Sequence, residues 1–215
     1  MKKVIEITGP AGVGKSFLCK NLCSYLGGTE QKKSSIFYLP LIKSLTIIPF
    51  LFFLTRDRFR IYFIFLIKLA KWKIIKNKKQ GIYIIDEGPW HFLCGSLLPR
   101  ASNERRQALL KHWKVFMDLP DVIIYLKAEP EYIWSRRKMR NGKKEKTLDI
   151  REIKTAIDYF ESNLNVTKNL YSGVEFFVYK IDDDFSTDLL SESIRKLYDN
   201  SIEGSHLKYE VNIYT

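Results

Sequence analysis

The stretch Gly9-Pro10-Ala11-Gly12-Val13-Gly14-Lys15-Ser16 decides how the chain folds, because it fits the pattern G-x-x-x-x-G-K-[ST] at every fixed position. The apolar run 3–7 before it predicts a strand, and residues 17–23 after it have helical spacing. In this setting the glycines let consecutive backbone N–H groups curl around a phosphate, and the helix N-terminus adds positive charge. The stretch therefore predicts a site for a nucleoside triphosphate.

Two residues at the end of this loop are predicted to carry most of its chemistry. Lys15 is expected to reach the β- and γ-phosphates of ATP, and the Ser16 hydroxyl is expected to ligate Mg²⁺. The remaining loop residues are the predicted cradle for the phosphates: Gly9, Pro10, Ala11, Gly12, Val13 and Gly14.

A second acidic element follows the apolar run 82–85, where Asp86 and Glu87 end a predicted strand. A carboxylate beside the phosphate-binding loop can hold the metal or accept a proton from the attacking group. The spacing does not assign the two roles. Asp86 is the first choice for the metal or proton role, Glu87 is the second, and a polar strand end without chemistry is the alternative.

A third element is the basic segment that begins at Arg136. Arg136 and Arg140 are four residues apart and therefore share one helix face. Two guanidinium groups at this spacing, followed by a basic loop, can close over a triphosphate and neutralise charge on the transferred phosphoryl group. A solvated helix face is the alternative interpretation.

Composition sets limits on the class of protein. The chain has 215 residues, a net charge of +12 and 46% hydrophobic residues, which fit one globular domain and exclude general disorder. Its three cysteines form no C-x-x-C pair, so a disulfide framework or a zinc site is not expected. The N-terminal apolar run is too short for a signal peptide. These features predict a cytoplasmic protein.

Five strand-like runs alternate with longer amphipathic segments along the chain. They lie at 3–7, 36–39, 82–85, 122–126 and 174–179. This alternation predicts an α/β fold in which helices cover both faces of a parallel sheet. Pro89 and Pro130 each follow a predicted strand and are expected in the first turn of a helix.

The segment 40–79 is unusually apolar and basic for this fold. Two runs rich in Ile, Leu and Phe are each too short to span a membrane, and residues 56–79 carry a net charge of +8. Two helices buried in the core or in a homodimer interface are the preferred interpretation. Contact with a membrane surface, a protein or an apolar substrate through residues 45–79 stays open. The lysines from Lys68 to Lys79 form the basic end of this segment, either as a solvated face or as a contact with anionic lipid. Specific nucleic-acid binding is not expected, because no recognition module accompanies the charge.

Together these motifs resemble the nucleoside and nucleotide kinases of the thymidylate-kinase and deoxynucleoside-kinase type, a family of P-loop proteins. The resemblance rests on the loop 9–16, on Asp86-Glu87, and on the run from Tyr125 through Arg136 to Arg140. It implies a three-layer fold with a five-stranded parallel sheet of order 2-3-1-4-5 and a mobile arginine-rich lid at about 136–147. It also implies that Asp182 borders the donor base, for which a turn or a helix cap is the alternative interpretation. The kinase domain would span 1–200, with no structure assigned to 201–215.

The resemblance implies a Mg²⁺-dependent kinase that transfers the γ-phosphoryl group of ATP to a small-molecule acceptor, a nucleoside, nucleotide or sugar. In these kinases Arg usually follows the acid that ends the third strand, but here Glu87 does. A negative charge disfavours a phosphate acceptor, so we expect a hydroxyl acceptor. A thymidylate-like monophosphate kinase is the alternative within the family. A P-loop ATPase or GTPase that drives membrane or protein association is the alternative from another class.

Overall fold

The computed structural model describes part of the chain. The described residues are 2–25, 29–30, 68, 72–73, 75, 77, 81–92, 94–95, 104, 107, 110–111, 119–141, 149–171, 173–181, 192 and 211–214. The predicted strand at 36–39, Asp182, most of the segment 40–79, the lid residues 142–147 and the side chain of Arg140 lie outside the described residues.

The described strands are β1 (Lys2–Thr8), β2 (Thr29–Glu30), β3 (Gly81–Asp86), β4 (Val122–Ala128), β5 (Glu175–Ile181) and β6 (Val211–Tyr214). They form one parallel sheet of order β2-β6-β3-β1-β4-β5. β1 lies between β3 and β4, with Ile7 opposite Asp86. The residues of β3 are all buried, which is typical of a parallel sheet covered on both faces.

The described helices are α1 (Lys15–Tyr25), α2 (Pro89–Phe92), α3 (Pro130–Asn141) and α4 (Ile150–Leu170). Pro89 and Pro130 open α2 and α3, as predicted. The side chain of Asp149 caps α4 by accepting a hydrogen bond of 2.9 Å from the Arg151 amide. In the described part of the chain, no helix has the length and apolar character needed to cross a membrane.

The predicted α/β fold with a parallel sheet is confirmed, but the predicted five-stranded order 2-3-1-4-5 is wrong. β6 lies between β3 and β2, so that Ile84 is opposite Ile213 and the sheet has six strands in its described part. β6 comes from the C-terminal segment to which the sequence assigned no structure. Its four residues give a weak local signal, and its position depends on pairing with a strand far away in sequence.

The central strands are buried on both faces, since Val4 and Glu6 alternate with Ile5 and Ile7 along β1 and all four are fully buried. Ile5 and Ile7 of β1 are fully buried, and they pack with apolar residues of α1 and α4 such as Leu18 and Ile157. Because the parallel strands all end at the same edge, this packing brings the ends of β1 and β3 together with the start of α1. The candidate site is built at this edge.

Candidate active site

The loop that joins β1 to α1 has the backbone that its glycines predict. Gly9 has a φ of +145° and Gly12 a φ of +94°, values that other residues rarely adopt. A Cβ atom at Gly9 would collide with the carbonyl oxygen of Leu126 in β4. The loop therefore passes closer to β4 than any side chain would allow, and this holds the start of α1 against the sheet edge.

Lys15 opens α1, and its ammonium group is held inside the loop. It is only 5% exposed, and its Nζ donates hydrogen bonds of 2.9 Å to the carbonyl oxygens of both Gly9 and Pro10. Oε1 of Glu87 lies 3.0 Å from the same nitrogen. A buried ammonium is stable only when it is paired in this way. The P-loop lysine and the acid after β3 thus form one ion pair.

Ser16 and Asp86 form a second pair beside the first. The Ser16 hydroxyl donates to Oδ2 of Asp86 at 2.5 Å, whereas Oδ1 of Asp86 is buried without a hydrogen-bond partner among the described residues. Burial raises the pKa of Asp86 above its usual value, and Glu87 adds to the rise, although the hydrogen bond from Ser16 opposes it. Asp86 is therefore a buried carboxylate with one oxygen still to be satisfied.

This pair fits Mg²⁺, a hard cation that prefers oxygen ligands and takes only one or two from the protein, leaving the rest to phosphates and water. The Ser16 hydroxyl and the Asp86 carboxylate are such ligands. The described residues contain no group of three or more His, Cys, Asp or Glu side chains that could hold a metal alone. A site that relies on a bound triphosphate for its remaining ligands matches this arrangement.

Glu87 lies where the chain turns out of β3. Its φ of +55° is in the left-handed region, and its amide donates to the carbonyl oxygen of Ile7 at 3.2 Å. This backbone aims the carboxylate back toward the loop. Burial alone would raise the pKa of Glu87, but its interactions with His91 and with the Lys15 ammonium outweigh burial, so the pKa lies below its usual value. Glu87 is therefore ionised at neutral pH.

A buried polar network of Glu6, Thr8 and His91 lies next to Glu87, and the sequence did not predict it. The carboxylate of Glu6 is fully buried in β1 and accepts hydrogen bonds from the amides of Trp90 at 3.4 Å and His91 at 2.6 Å. A Cβ atom at residue 88 would overlap this carboxylate, so glycine is required there. Burial raises the pKa of Glu6 to about 7.

His91 links this network to the ion pair. Its Nδ1 lies 2.8 Å from the Thr8 hydroxyl, and its Nε2 lies 3.7 Å from Oε1 of Glu87. Burial lowers the pKa of His91 to about 3, so the ring is neutral at physiological pH. If Thr8 donates to Nδ1, the ring presents its Nε2–H toward Glu87. The sequence signal for this network was a glutamate inside an apolar strand together with a glycine after Glu87.

A cavity of about 430 Å³ lies over the loop, within the size range of small-molecule sites. It is lined by five of the eight expected loop residues and by Glu87, whereas Gly9, Pro10 and Val13 do not line it, and α3 closes one side with two arginines. Its lining residues are Ala11, Gly12, Gly14, Lys15, Ser16, Phe17, Glu87, Arg136 and Arg137.

The structure brings Arg136 to this cavity, as the lid prediction requires. Its guanidinium group lies 5.5 Å from the centre of the Tyr132 ring and donates to the Tyr132 hydroxyl at 3.0 Å. Arg137, which the sequence analysis did not single out, also lines the cavity, because its aliphatic stem packs where Gly12 has no side chain. The loop lies so close to α3 that two consecutive residues of this helix, Arg136 and Arg137, line the cavity. The role of Arg140 stays a prediction.

Lys68 is the other residue of the site that the sequence analysis assigned elsewhere. It was placed at the basic end of the apolar segment, as part of a solvated face or a lipid contact. Its Nζ instead donates to the backbone carbonyl oxygen of Asp86 at 3.4 Å, and the side chain is partly buried. At least one charge of the +8 segment therefore lies at the sheet edge, next to the two acids.

Several solved structures have the same fold. The structure of deoxyadenosine kinase from M. mycoides with bound dATP aligns with 93% of this chain and 100% of that chain, with a TM-score of 0.59 and 18% sequence identity. The same enzyme with bound dCTP gives a TM-score of 0.52 at 18% identity over 94% of this chain and 100% of that chain. The chain has the fold of a deoxynucleoside kinase.

A third structure has a similar fold. The YorR protein of Bacillus subtilis in complex with phosphorylated GDP aligns with 95% of this chain and 100% of that chain, with a TM-score of 0.51 and 16% identity. No protein-family model and no curated protein matches the sequence. The predicted resemblance to deoxynucleoside kinases is therefore confirmed at the level of the fold, while the acceptor has to be argued from the site itself.

Proposed function

We propose that the chain is a Mg²⁺-dependent kinase that transfers the γ-phosphoryl group of ATP to a hydroxyl of a nucleoside, nucleotide or sugar-like acceptor. The main support for the proposal is the ion pair and the hydrogen bond that lie side by side at the sheet edge. Lys15 lies 3.0 Å from Glu87, and Ser16 lies 2.5 Å from Asp86. A phosphate-binding lysine, a metal-ligating hydroxyl and two carboxylates are the groups that phosphoryl transfer requires.

In the proposed reaction an acceptor hydroxyl oxygen forms a bond to the γ-phosphorus, and the bond from that phosphorus to the β–γ bridging oxygen breaks. The electron pair of the broken bond leaves with ADP, and the hydroxyl proton goes to a carboxylate. Glu87 suits this last role better than Asp86, because it lines the cavity and is ionised, whereas Asp86 is engaged by Ser16. Arg136 and Arg137 neutralise charge from the lid side.

Mg²⁺, held by Ser16 and Asp86 with the phosphates of ATP, would reduce the negative charge of those phosphates. Lys15 would exchange part of its contact with the loop carbonyls and Glu87 for contact with the β- and γ-phosphates. Breaking the Lys15–Glu87 pair on binding would free the Glu87 carboxylate for the acceptor. Nucleotide binding and preparation of the proton acceptor would then be one event.

Two other functions differ from this one in their requirements. A monophosphate kinase needs positive charge where the acceptor phosphate lies, and the anionic Glu87 disfavours it. A P-loop ATPase or GTPase would use the same Glu87 carboxylate to activate water, so the ion pair fits it as well. Its proposed association with a membrane or protein would involve residues 45–79, which lie mostly outside the described part. The donor base, the cytoplasmic location and a homodimer likewise remain proposals.

The test is a transfer assay with γ-labelled ATP or GTP and a panel of nucleosides, nucleotides and sugars, in the presence of Mg²⁺ or a chelator. The proposal expects a labelled product that depends on both the acceptor and Mg²⁺. Lys15→Ala should abolish its formation, and Arg140→Ala should do the same if Arg140 belongs to the lid. Lys154→Ala, which removes an exposed charge from α4, is the matched control and should be fully active. Release of free phosphate that no acceptor changes would favour the hydrolase and refute the kinase.

A further inference from the structure

Lys68 reaches the candidate site from a part of the chain separate from both the P-loop and the lid. Its Nζ donates to the backbone carbonyl oxygen of Asp86 at 3.4 Å. This carbonyl belongs to the peptide bond between Asp86 and Glu87, the two residues whose carboxylates lie at the site. Lys15 contacts Glu87 from the loop side. The Asp86-Glu87 turn therefore lies in contact with two lysines.

The charge of Lys68 acts on the whole acidic edge of the site. It interacts electrostatically with Glu6, Asp86, Glu87 and His91, which come from β1, β3 and the residues that follow β3. Two of these groups, Asp86 and Glu87, are the carboxylates beside which the proposed triphosphate must bind. Without local compensation their negative charge would repel the terminal phosphate.

The Lys68 ammonium group could exchange its contact with the Asp86 carbonyl oxygen for one with a phosphate of the bound nucleotide. Lysine carries three N–H donors on a flexible four-carbon stem, and its contact with Asp86 uses one of them. Its partly buried position strengthens any contact with an anion relative to one at a fully exposed site. A terminal phosphoryl group, with three charged oxygens, offers more acceptors than the single carbonyl does.

We propose that Lys68 binds the terminal phosphoryl group of the bound nucleoside triphosphate, as a cation additional to Lys15 and the lid arginines. This inference rests on the proposed function only in requiring that the P-loop binds a triphosphate. It identifies a positive charge that offsets the negative charge of Glu87. It also places one lysine of the segment 40–79, Lys68, at the donor phosphate.

The test compares the binding of Mg·ATP and Mg·ADP by isothermal titration calorimetry, which needs no knowledge of the acceptor. Lys68→Ala should raise the Kd for ATP about tenfold and the Kd for ADP less than twofold, because only ATP has the terminal phosphoryl group. Lys68→Arg should restore most of the ATP preference. Lys73→Ala is the matched control, since Lys73 is a helical, partly buried lysine of the same basic segment, and its ATP preference should equal that of the wild type.

The outcomes separate this inference from the proposed function. If Lys68→Ala weakens ATP and ADP equally, or changes neither, Lys68 only balances the charge of the acids and the inference is wrong. If the wild type binds neither nucleotide, both the proposed function and this inference fail. If the wild type binds ATP but phosphorylates no acceptor, the kinase fails while the ATP-to-ADP ratio still decides the role of Lys68. Thermal unfolding checks that each variant is folded, and Lys68→Gln replaces Lys68→Ala if that variant does not fold.

Discussion

Glu6→Gln should change how the stability of the protein depends on pH, because Glu6 is a fully buried carboxylic acid in the central strand. Burial raises the pKa of Glu6 from its ordinary value of 4.5 to about 7. Between these two values the unfolded chain has released the proton of Glu6, whereas the native chain still binds it. Stability therefore falls as the pH rises through this interval.

The size of the effect follows from the shift. One pKa unit corresponds to about 1.36 kcal/mol, so ionisation of Glu6 should lower the free energy of unfolding by about 3 kcal/mol between pH 4 and pH 8. The glutamine of the variant cannot ionise, yet its side-chain oxygen can still accept the hydrogen bond from the His91 amide. The variant should therefore lack this part of the pH dependence while keeping the contact that holds α2.

The assay is urea denaturation of wild type and Glu6→Gln at intervals from pH 4 to pH 8. Groups that titrate identically in both proteins cancel in the difference between their unfolding free energies. This difference should move by about 3 kcal/mol in favour of the variant as the pH rises. Glu152→Gln, an exposed substitution on α4 with the same change in charge, controls for long-range effects. If the curves of wild type and Glu6→Gln are parallel, the pKa of Glu6 is the same in the native and the unfolded chain, and the description of the buried network is wrong.

Two other substitutions test the site directly. Glu87→Gln should lower kcat at least a hundredfold, because it removes the proposed proton acceptor, and it should not raise the KM for ATP, because it removes the anionic partner that Lys15 must leave to bind the phosphates. Steady-state kinetics at pH 7 would measure this, and an unchanged kcat would exclude Glu87 from that role. Gly9→Ala should destabilise the protein by about 1–3 kcal/mol and weaken ATP binding, because alanine disfavours a φ of +145° and its methyl group would meet the Leu126 carbonyl. Denaturation and calorimetry would measure these two effects, and a fully stable variant with normal binding would contradict the loop geometry.

The parts of the structure that local sequence signals determine could be predicted. The P-loop depends on glycines at fixed spacing, and the buried strands β1, β3 and β4 are continuous apolar runs, so each gives a clear signal within a few residues. Because parallel strands end at one edge, the approach of Asp86 to Ser16 also followed from the pattern. The sequence could not divide the roles of Asp86 and Glu87, since that division depends on the left-handed backbone of Glu87.

The parts that were missed depend on contacts between residues far apart in sequence. Lys68 looked like one charge in a basic run, and only the packed structure brings it to the carbonyl of Asp86. Arg137 was overlooked because helix periodicity favoured the pair of Arg136 with Arg140, whereas the missing side chain of Gly12 lets Arg137 approach the cavity. β6 was missed for the same reason, since its pairing with β3 joins two distant segments.

The most direct test of the central claim is a phosphorus NMR time course of Mg·ATP with an acceptor, catalysed by wild type and by Asp86→Asn. For a kinase, the ATP signals should give way to those of ADP together with a new resonance of the phosphorylated acceptor. Asp86→Asn should slow both changes at least a hundredfold, because it replaces the carboxylate that pairs with Ser16, a proposed ligand of Mg²⁺, with a neutral amide. ATP that stays intact with every acceptor, or that yields only ADP and inorganic phosphate at a rate no acceptor alters, would contradict the claim.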